Sequence, residues 1–293
     1  MLYISVPTTS SMFRISLPRP LPQSHRTPIR TPLSLRPLCT QPHPQPPTTK
    51  TNPLPKPCRL FDLRAAPVPY HRAWDMQHQL VNDMKKNPDL SDALILLEHE
   101  PVYTLGTAST TDNVLFRADE LRRGQPPTSG QSDRDTPLLV RTERGGEVTY
   151  HGPGQLVAYP ILNLNRHKKD LHWYLRMLES TVIDMLQEFY GLSGSRKEGL
   201  SGVWVRDEKV CAVGLKVSKW ITMHGLALNV NTDMDAFDRI IPCGVSEHGV
   251  TSLHLLVNGG QRVSMNQARQ HLLHSFDRTF GPYEMQQADA STE

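Results

Sequence analysis

The segment Arg144-Gly-Gly-Glu-Val-Thr-Tyr-His-Gly-Pro-Gly-Gln155 is the most informative part of the sequence. Its four glycines, Gly145, Gly146, Gly152 and Gly154, allow the backbone to approach a ligand closely and to adopt positive φ angles. The segment lacks the GK[ST] ending of a phosphate loop and the third glycine of a dinucleotide fingerprint. The residues alone leave two interpretations open: a ligand-binding loop, or a glycine-rich hairpin that only turns the chain.

The segments on either side of this loop predict a mixture of strands and helices. Amphipathic spacing predicts helices over residues 70–86, 170–190 and 264–280. Apolar runs predict strands at 92–98, continued by 99–106, and at 138–141, 156–164, 202–205, 209–217 and 225–230. The strands at 202–205 and 209–217 read as a hairpin. Because hairpins outnumber regular βαβ units, we predict an α/β (α+β) fold with a mixed β-sheet packed with helices.

Residues 1–61 differ in composition from the rest of the chain. They contain eight Lys/Arg residues, 14 of the 25 prolines and no Asp or Glu. A basic, acid-free N-terminus is typical of a transit peptide, and the dense prolines indicate an extended linker. We therefore predict a disordered mitochondrial transit peptide and Pro-rich linker over residues 1–61, against an uncleaved tail with no targeting role. Residues 62–293 are then one folded domain, located in the mitochondrial matrix.

The charge balance excludes one class of partner, and the lack of a long apolar stretch excludes another. The whole chain carries a net charge of +3, and removing the eight positive charges of residues 1–61 leaves −5. The basic character therefore belongs to the N-terminal segment, and we expect no nucleic-acid partner. Since no stretch approaches the roughly 18 apolar residues of a membrane span, we also expect no membrane insertion.

Two residues of the folded part are candidates for chemistry, although their types alone do not assign a role. Cys243 lies in Pro242-Cys-Gly244, where a lone cysteine is more often a small buried hydrophobic residue than a nucleophile. Cys211 reads as core, and Lys209 beside it reads as a solvated surface charge. The four cysteines show no CxxC pair and no disulfide spacing, which is typical of a reducing compartment.

Seven motifs in order along the chain resemble one family, the lipoate-biosynthesis octanoyltransferases of the lipoate protein B type. The motifs are Arg144-Gly-Gly-x-x-Thr-x-His-Gly-Pro-Gly-Gln155, Tyr159-Pro160, Asp170-Leu-His-Trp-Tyr174, Gly202-Val-Trp204, Lys209-x-x-x-x-Gly214, His224-Gly-Leu-Ala-Leu-Asn229 and Pro242-Cys-Gly244. The resemblance runs from about residue 62 to residue 280. It implies the mixed α/β fold of the lipoate and biotin protein ligase catalytic domain.

The resemblance also implies the site. Cys243 corresponds to the acyl-accepting nucleophile of the family, and Lys209 to its catalytic partner. The substrate-binding residues that it implies are Arg144, Gly145, Gly146, Glu147, Val148, Thr149, Tyr150, His151, Ala212, Val213, Gly214, Gly225, Leu226 and Ala227. No metal ion and no cofactor is expected.

The implied reaction is the first step of protein lipoylation. An octanoyl group would move from octanoyl-acyl carrier protein to Cys243 and then to the lipoyl-domain lysine of a 2-oxo-acid dehydrogenase-type protein. The expected partners are these two proteins, and the chain itself is expected to be a monomer. Two alternatives stay open: an ATP-dependent lipoate or biotin protein ligase, and a non-catalytic protein that binds acyl groups or lipoyl domains.

Overall fold

A mixed, eight-stranded β-sheet forms the centre of the molecule. The computed structural model describes residues 55–116, 122–123, 138–241, 248–257 and 260–289, within a compact unit that spans Asn52–Glu293. The strands of the large sheet are β1 (Lys56–Val68), β2 (Asp92–His99), β7 (Gln155–Ile161), β8 (Gly194–Lys197), β9 (Leu200–Val205), β10 (Glu208–Ser218), β11 (Ile221–Asn229) and β12 (Tyr283–Gln287). Their order is β12-β1-β2-β7-β11-β10-β9-β8, parallel from β12 to β2 and antiparallel beyond it.

A second, four-stranded sheet carries part of the glycine-rich segment. Its strands are β3 (Val102–Leu105), β4 (Arg122–Arg123), β5 (Leu138–Arg141) and β6 (Thr149–His151), in the order β4-β5-β3-β6. The sequence predicted that residues 99–106 continue the strand at 92–98, but the chain leaves the large sheet after His99. Pro101 has no N–H to donate to a strand ladder, and the next four residues pair in the second sheet instead.

The helices cover both faces of the large sheet. They are α1 (Tyr70–Lys86), α2 (Leu171–Tyr190), α3 (Leu253–Leu256) and α4 (Met265–Phe280). The Asp170 side chain caps α2 by accepting from Trp173 N at 3.0 Å, and Gly191 ends it in the left-handed conformation, at φ 63°. In the part of the chain that the structure describes, no helix is long and apolar enough to cross a membrane.

Strand β2 shows how the helices and the sheet share the core. Leu94 and Leu96 belong to the core cluster that includes α2 and α4, whereas Ile95 and Leu97 belong to the cluster that includes α1. Successive side chains of a strand point to opposite faces. A strand covered on both faces is therefore apolar throughout, as the run Asp92-Ala-Leu-Ile-Leu-Leu-Glu98 is.

The folded domain begins earlier than the predicted boundary at residue 62. Strand β1 starts at Lys56 and pairs with β2 from Cys58 onward. Cys58, Leu60 and Phe61 are buried, at 2% exposure or less, so this part of the predicted linker belongs to the core. The prolines that suggested a linker end at Pro57, the second residue of the strand, and proline is tolerated at the start of a strand.

Candidate functional site

A single cavity collects almost all of the predicted substrate-binding residues. It encloses about 280 Å³ and lies between the glycine-rich segment and strands β10 and β11. The predicted residues that line it are Arg144, Gly145, Gly146, Glu147, Val148, Thr149, His151, Ala212, Val213, Gly214, Gly225, Leu226 and Ala227. Their roles stay predictions, but the structure brings them together from three separate segments of the chain.

Tyr150 is the predicted binding residue whose side chain does not line this cavity. It lies between Thr149 and His151 on β6, and the alternation of a strand directs it to the other face. There it packs against Tyr103 at 5.2 Å and Phe237 at 5.6 Å between ring centroids. Tyr150 therefore supports the wall from behind.

Arg144 fixes the glycine-rich segment to the second sheet. Its Nη2 donates to both the carbonyl oxygen and Oγ1 of Thr104, each at 2.8 Å. The guanidinium fits because Gly106 has no side chain: a Cβ there would lie 2.1 Å from Gly146 O and 2.8 Å from Arg144 Nη1. Gly146 itself has a φ of 93°, a conformation that favours glycine.

Gly214 lets the same segment lie directly on the large sheet, and Gly225 lets β11 approach the neighbouring strand β7 closely. Gly214 of β10 pairs with Gly225 of β11. A Cβ on Gly214 would lie 3.0 Å from Gly145 O, and one on Gly225 would lie 2.3 Å from Ala158 O. The Gly145 N–H also donates to Leu215 O at 3.0 Å. The cavity wall is thus formed by backbone packed on backbone, which leaves no room for a side chain at these positions.

Lys209 also lines the cavity and is buried. Only 6% of the residue is exposed, so the surface position favoured by residue type alone is wrong. Its ammonium lies over the Trp204 ring, with Nζ 4.7 Å from the centroid. Its backbone is hydrogen-bonded on both sides to residues 249–251: Lys209 N donates to Gly249 O and Thr251 N donates to Lys209 O, each at 2.9 Å.

Cys243 lies outside the described residues, but both flanks of its segment border the cavity. Phe237 before it and Val250 after it line the cavity. On the N-terminal side, Ile241 N donates to Asn113 O at 2.9 Å. On the other side, Val250 forms a β-bridge with Lys209. The described residues on both sides of Cys243 are therefore anchored, and Phe237 and Val250 among them line the cavity.

Two buried histidines are hydrogen-bonded at the site: His151, a predicted binding residue that lines the cavity, and His99, which the sequence did not predict. His99 donates from Nδ1 to Val68 O at 2.9 Å, so its Nε2 accepts from the Tyr159 hydroxyl at 2.7 Å. His151 donates from Nδ1 to Gln155 Oε1 at 2.7 Å, because the Gln155 amide nitrogen donates to Asn229 Oδ1. The His99 ring is therefore neutral in this arrangement, because one of its two nitrogens accepts.

Burial keeps these imidazoles uncharged. It lowers the pKa of His99 to about 4, against the Val68 carbonyl, which raises it. Burial, followed by the neighbouring His99, holds the pKa of His151 well below its usual range. The site therefore contains neutral hydrogen-bonding groups near neutral pH, in addition to the cations of Arg144 and Lys209.

His224 is a third buried histidine, which lines the cavity together with His151 and has an unusual backbone conformation. Its φ is 59°, and its N–H donates to Gln77 Oε1 at 2.7 Å. Burial lowers its pKa to about 3, against the raising effect of Glu143. His224 occurs in one of the quoted motifs, but Gln77 is 147 residues away on α1, and no local pattern indicates that the two are in contact.

Comparison with known proteins identifies the family. Residues 69–277 match the model of the lipoyl protein ligase A/B catalytic domain. The chloroplastic octanoyltransferase LIP2p2 of Arabidopsis thaliana is 43% identical over 244 residues, which cover 79% of this chain and 82% of the relative. An octanoyltransferase of Nostoc punctiforme is 48% identical over 214 residues, which cover 73% of this chain and 85% of the relative.

Solved lipoate ligases share the fold at low sequence identity. The bi-partite lipoate protein ligase of Thermoplasma acidophilum is 16% identical, with a TM-score of 0.56 and coverage of 80% of this chain and 86% of that chain. Lipoate-protein ligase A bound with ATP is 15% identical, with a TM-score of 0.57 and coverage of 82% and 92%. These likenesses confirm the predicted mixed α/β fold. Together with the family model and the octanoyltransferase relatives, they lead to one conclusion: the chain belongs to the lipoyl protein ligase A/B catalytic-domain family, among its octanoyltransferases, which are acyltransferases.

Proposed function

We propose that this protein transfers an octanoyl group from octanoyl-acyl carrier protein to the lysine of a lipoyl domain, through an acyl-enzyme on Cys243. The observation that carries the proposal is the convergence on one cavity of the glycine-rich segment, Lys209 and both flanks of the Cys243 segment. A volume of about 280 Å³ is at the lower end of small-molecule pockets. It suits one medium-length acyl chain.

The first step is thioester exchange. The Cys243 thiolate attacks the carbonyl carbon of the octanoyl thioester and forms a new C–S bond, while the bond between that carbon and the carrier sulfur breaks. The Lys209 ammonium, as a general acid, gives its proton to the departing sulfur, and the carrier leaves as a thiol. A free cysteine is only a few per cent ionised at neutral pH, and a nearby ammonium favours the thiolate. Lys209 is the cation whose backbone is tied to the segment that follows Cys243.

The second step forms the amide. The neutral amine of the lipoyl-domain lysine attacks the carbonyl carbon of octanoyl-Cys243, the C–S bond breaks, and the thiolate returns. Lys209, left neutral by the first step, accepts the amine proton as a general base, which restores the pair of Cys243 thiolate and Lys209 ammonium. Both bonds that break are thioester bonds, so the reaction needs no nucleotide to activate the acyl group.

Intact-mass spectrometry tests this proposal. The full chain is incubated with octanoyl-acyl carrier protein in the absence of ATP, and a lipoyl domain is added afterwards. We expect an octanoyl adduct that maps to Cys243 and disappears as the lipoyl domain gains the same mass. If the lipoyl domain is modified only when ATP and free octanoate are supplied, the chain is a ligase. If neither octanoyl-acyl carrier protein nor free octanoate with ATP gives turnover, the chain is a binding protein.

We further propose that the N-terminal segment directs the protein to an organelle, the mitochondrial matrix. The acid-free composition of residues 1–61 supports import, and the Arabidopsis relative is named as chloroplastic, which makes the chloroplast the competing destination. A fusion of residues 1–55 to a fluorescent protein is expected to co-localise with a mitochondrial marker. Signal in plastids would assign the protein to the other organelle, and signal that stays in the cytosol would contradict import.

A further inference from the structure

Trp204 stands between two lysines from neighbouring strands. It lies on β9 directly opposite Lys209 of β10, and directly opposed residues project from the same face of a sheet. The Lys209 Nζ lies 4.7 Å from the ring centroid. The Nζ of Lys197, from β8 on the other side, lies 5.0 Å from it. Both distances are within the range of a cation–π interaction.

Packing fixes the orientation of the indole. Trp204 is 2% exposed, and the His248 ring meets it nearly edge-on, at 5.3 Å and 71°. Lys197, which lies over the ring, is itself held by Asp207 Oδ1 at 2.8 Å. Among the described residues the buried Trp204 Nε1 has no hydrogen-bond partner. Trp204 therefore contacts the two lysines through the face of its ring and not through its indole N–H.

The stem of Lys209 follows a groove next to a glycine. Gly202 has a φ of 119°, and a Cβ there would lie 3.4 Å from Lys209 Cε and 2.6 Å from Cys211 O. The Gly202 N–H donates to Oε1 of the buried Glu179 at 3.0 Å. The groove therefore has a fixed wall, and the ammonium is the end of a constrained chain.

We propose that Trp204 is a positioning residue for Lys209, holding its ammonium at the cavity by cation–π contact. The proposal rests on the function proposed above for Lys209. A lysine ammonium on a flexible four-carbon stem samples many rotamers, whereas the ring face restricts it to one region. The backbone of Lys209 is already anchored to the segment that follows Cys243. Trp204 therefore restricts the position of the charge relative to that segment.

A double-mutant cycle tests the proposal. The rate of adduct formation at saturating octanoyl-acyl carrier protein is measured for the wild type, Trp204→Leu, Lys209→Met and the double variant. We expect Trp204→Leu to slow the step about tenfold, the range of a desolvated cation–π contact, without a change in KM. In the Lys209→Met background the same substitution is expected to have no further effect. Trp220→Phe, at an exposed tryptophan, is the matched control and should react as the wild type does.

Substitution by fluorinated tryptophans at position 204 covers the case in which Trp204→Leu does not fold. They preserve the shape of the ring and weaken its negative face, so the rate should fall with each added fluorine. A rate unchanged across this series, or a Trp204→Leu effect that persists undiminished without Lys209, would overturn the inference alone. A wild-type chain that forms no adduct would overturn the proposed function and the inference with it.

Discussion

Replacing Cys243 with serine is expected to remove the covalent octanoyl adduct and to slow transfer to a lipoyl domain by at least about a thousandfold. A serine hydroxyl is far less ionised than a thiol at neutral pH, and a protonated Lys209 cannot accept the hydroxyl proton. The serine variant retains the cavity and the anchored flanks, Ile241 and Val250. The loss should therefore appear in the rate at saturating donor, measured by mass spectrometry in a single turnover.

Two further variants separate nucleophile from scaffold. Cys211 is fully buried and burial raises the pKa of its thiol above the usual range, so Cys211→Ala should retain the adduct and near-normal transfer. Lys209→Met should slow both the formation and the discharge of the adduct. If Cys243→Ser still transferred octanoate within about tenfold of the wild-type rate, direct attack by the acceptor lysine would replace the acyl-enzyme mechanism.

The helices and most strands were predictable because their signals are local. The helix predicted at 70–86 is α1, and the helix predicted at 170–190 is α2. Asp170 caps α2, and Gly191 ends it. The hairpin of β9 and β10 forms as predicted, in antiparallel register. Each of these elements shows its periodicity within a window of about 20 residues, so no long-range information was needed.

The early start of β1 was not predictable in the same way. Its first residues lie among prolines and basic residues, and they pair on one side with β2 and on the other with β12 at the other end of the chain. A strand that lies between a near partner and one more than 200 residues away shows no local pattern beyond Cys58, Leu60 and Phe61. Composition therefore placed the domain boundary at residue 62, inside the strand.

Residue type did not predict the surroundings of Lys209. Spacing alone assigned Lys209 to the surface, because a single lysine in a strand carries no information on what covers it. Its burial follows from Trp204 on the adjacent strand and from residues 249–251. The contact of Gln77 with His224 likewise joins α1 to β11. Both arrangements are products of tertiary packing.

Acidification from pH 6.5 to pH 4 is expected to lower the free energy of unfolding by about 3 kcal/mol through His99 alone. Its folded-state pKa is about 4, below the value of about 6.5 in an unfolded chain. Between these values the unfolded state binds a proton that the folded state does not. The contribution of the neutral ring is therefore complete above pH 6.5 and is lost as the pH falls toward 4. His224, with a folded pKa of about 3, acts in the same direction.

Urea unfolding at several pH values between 7.5 and 4 measures this dependence. His99→Phe keeps an aromatic ring beside Tyr70 and Tyr159 but cannot bind a proton. Between pH 6 and pH 5 its unfolding free energy should therefore fall by about 1.2 kcal/mol less than that of the wild type. His71→Gln, at an exposed position of α1, should keep the wild-type slope. If the unfolding free energy of the wild type did not change with pH below 6.5, the folded protein would accept as many protons as the unfolded chain. His99 would then titrate as an exposed histidine does, despite its burial.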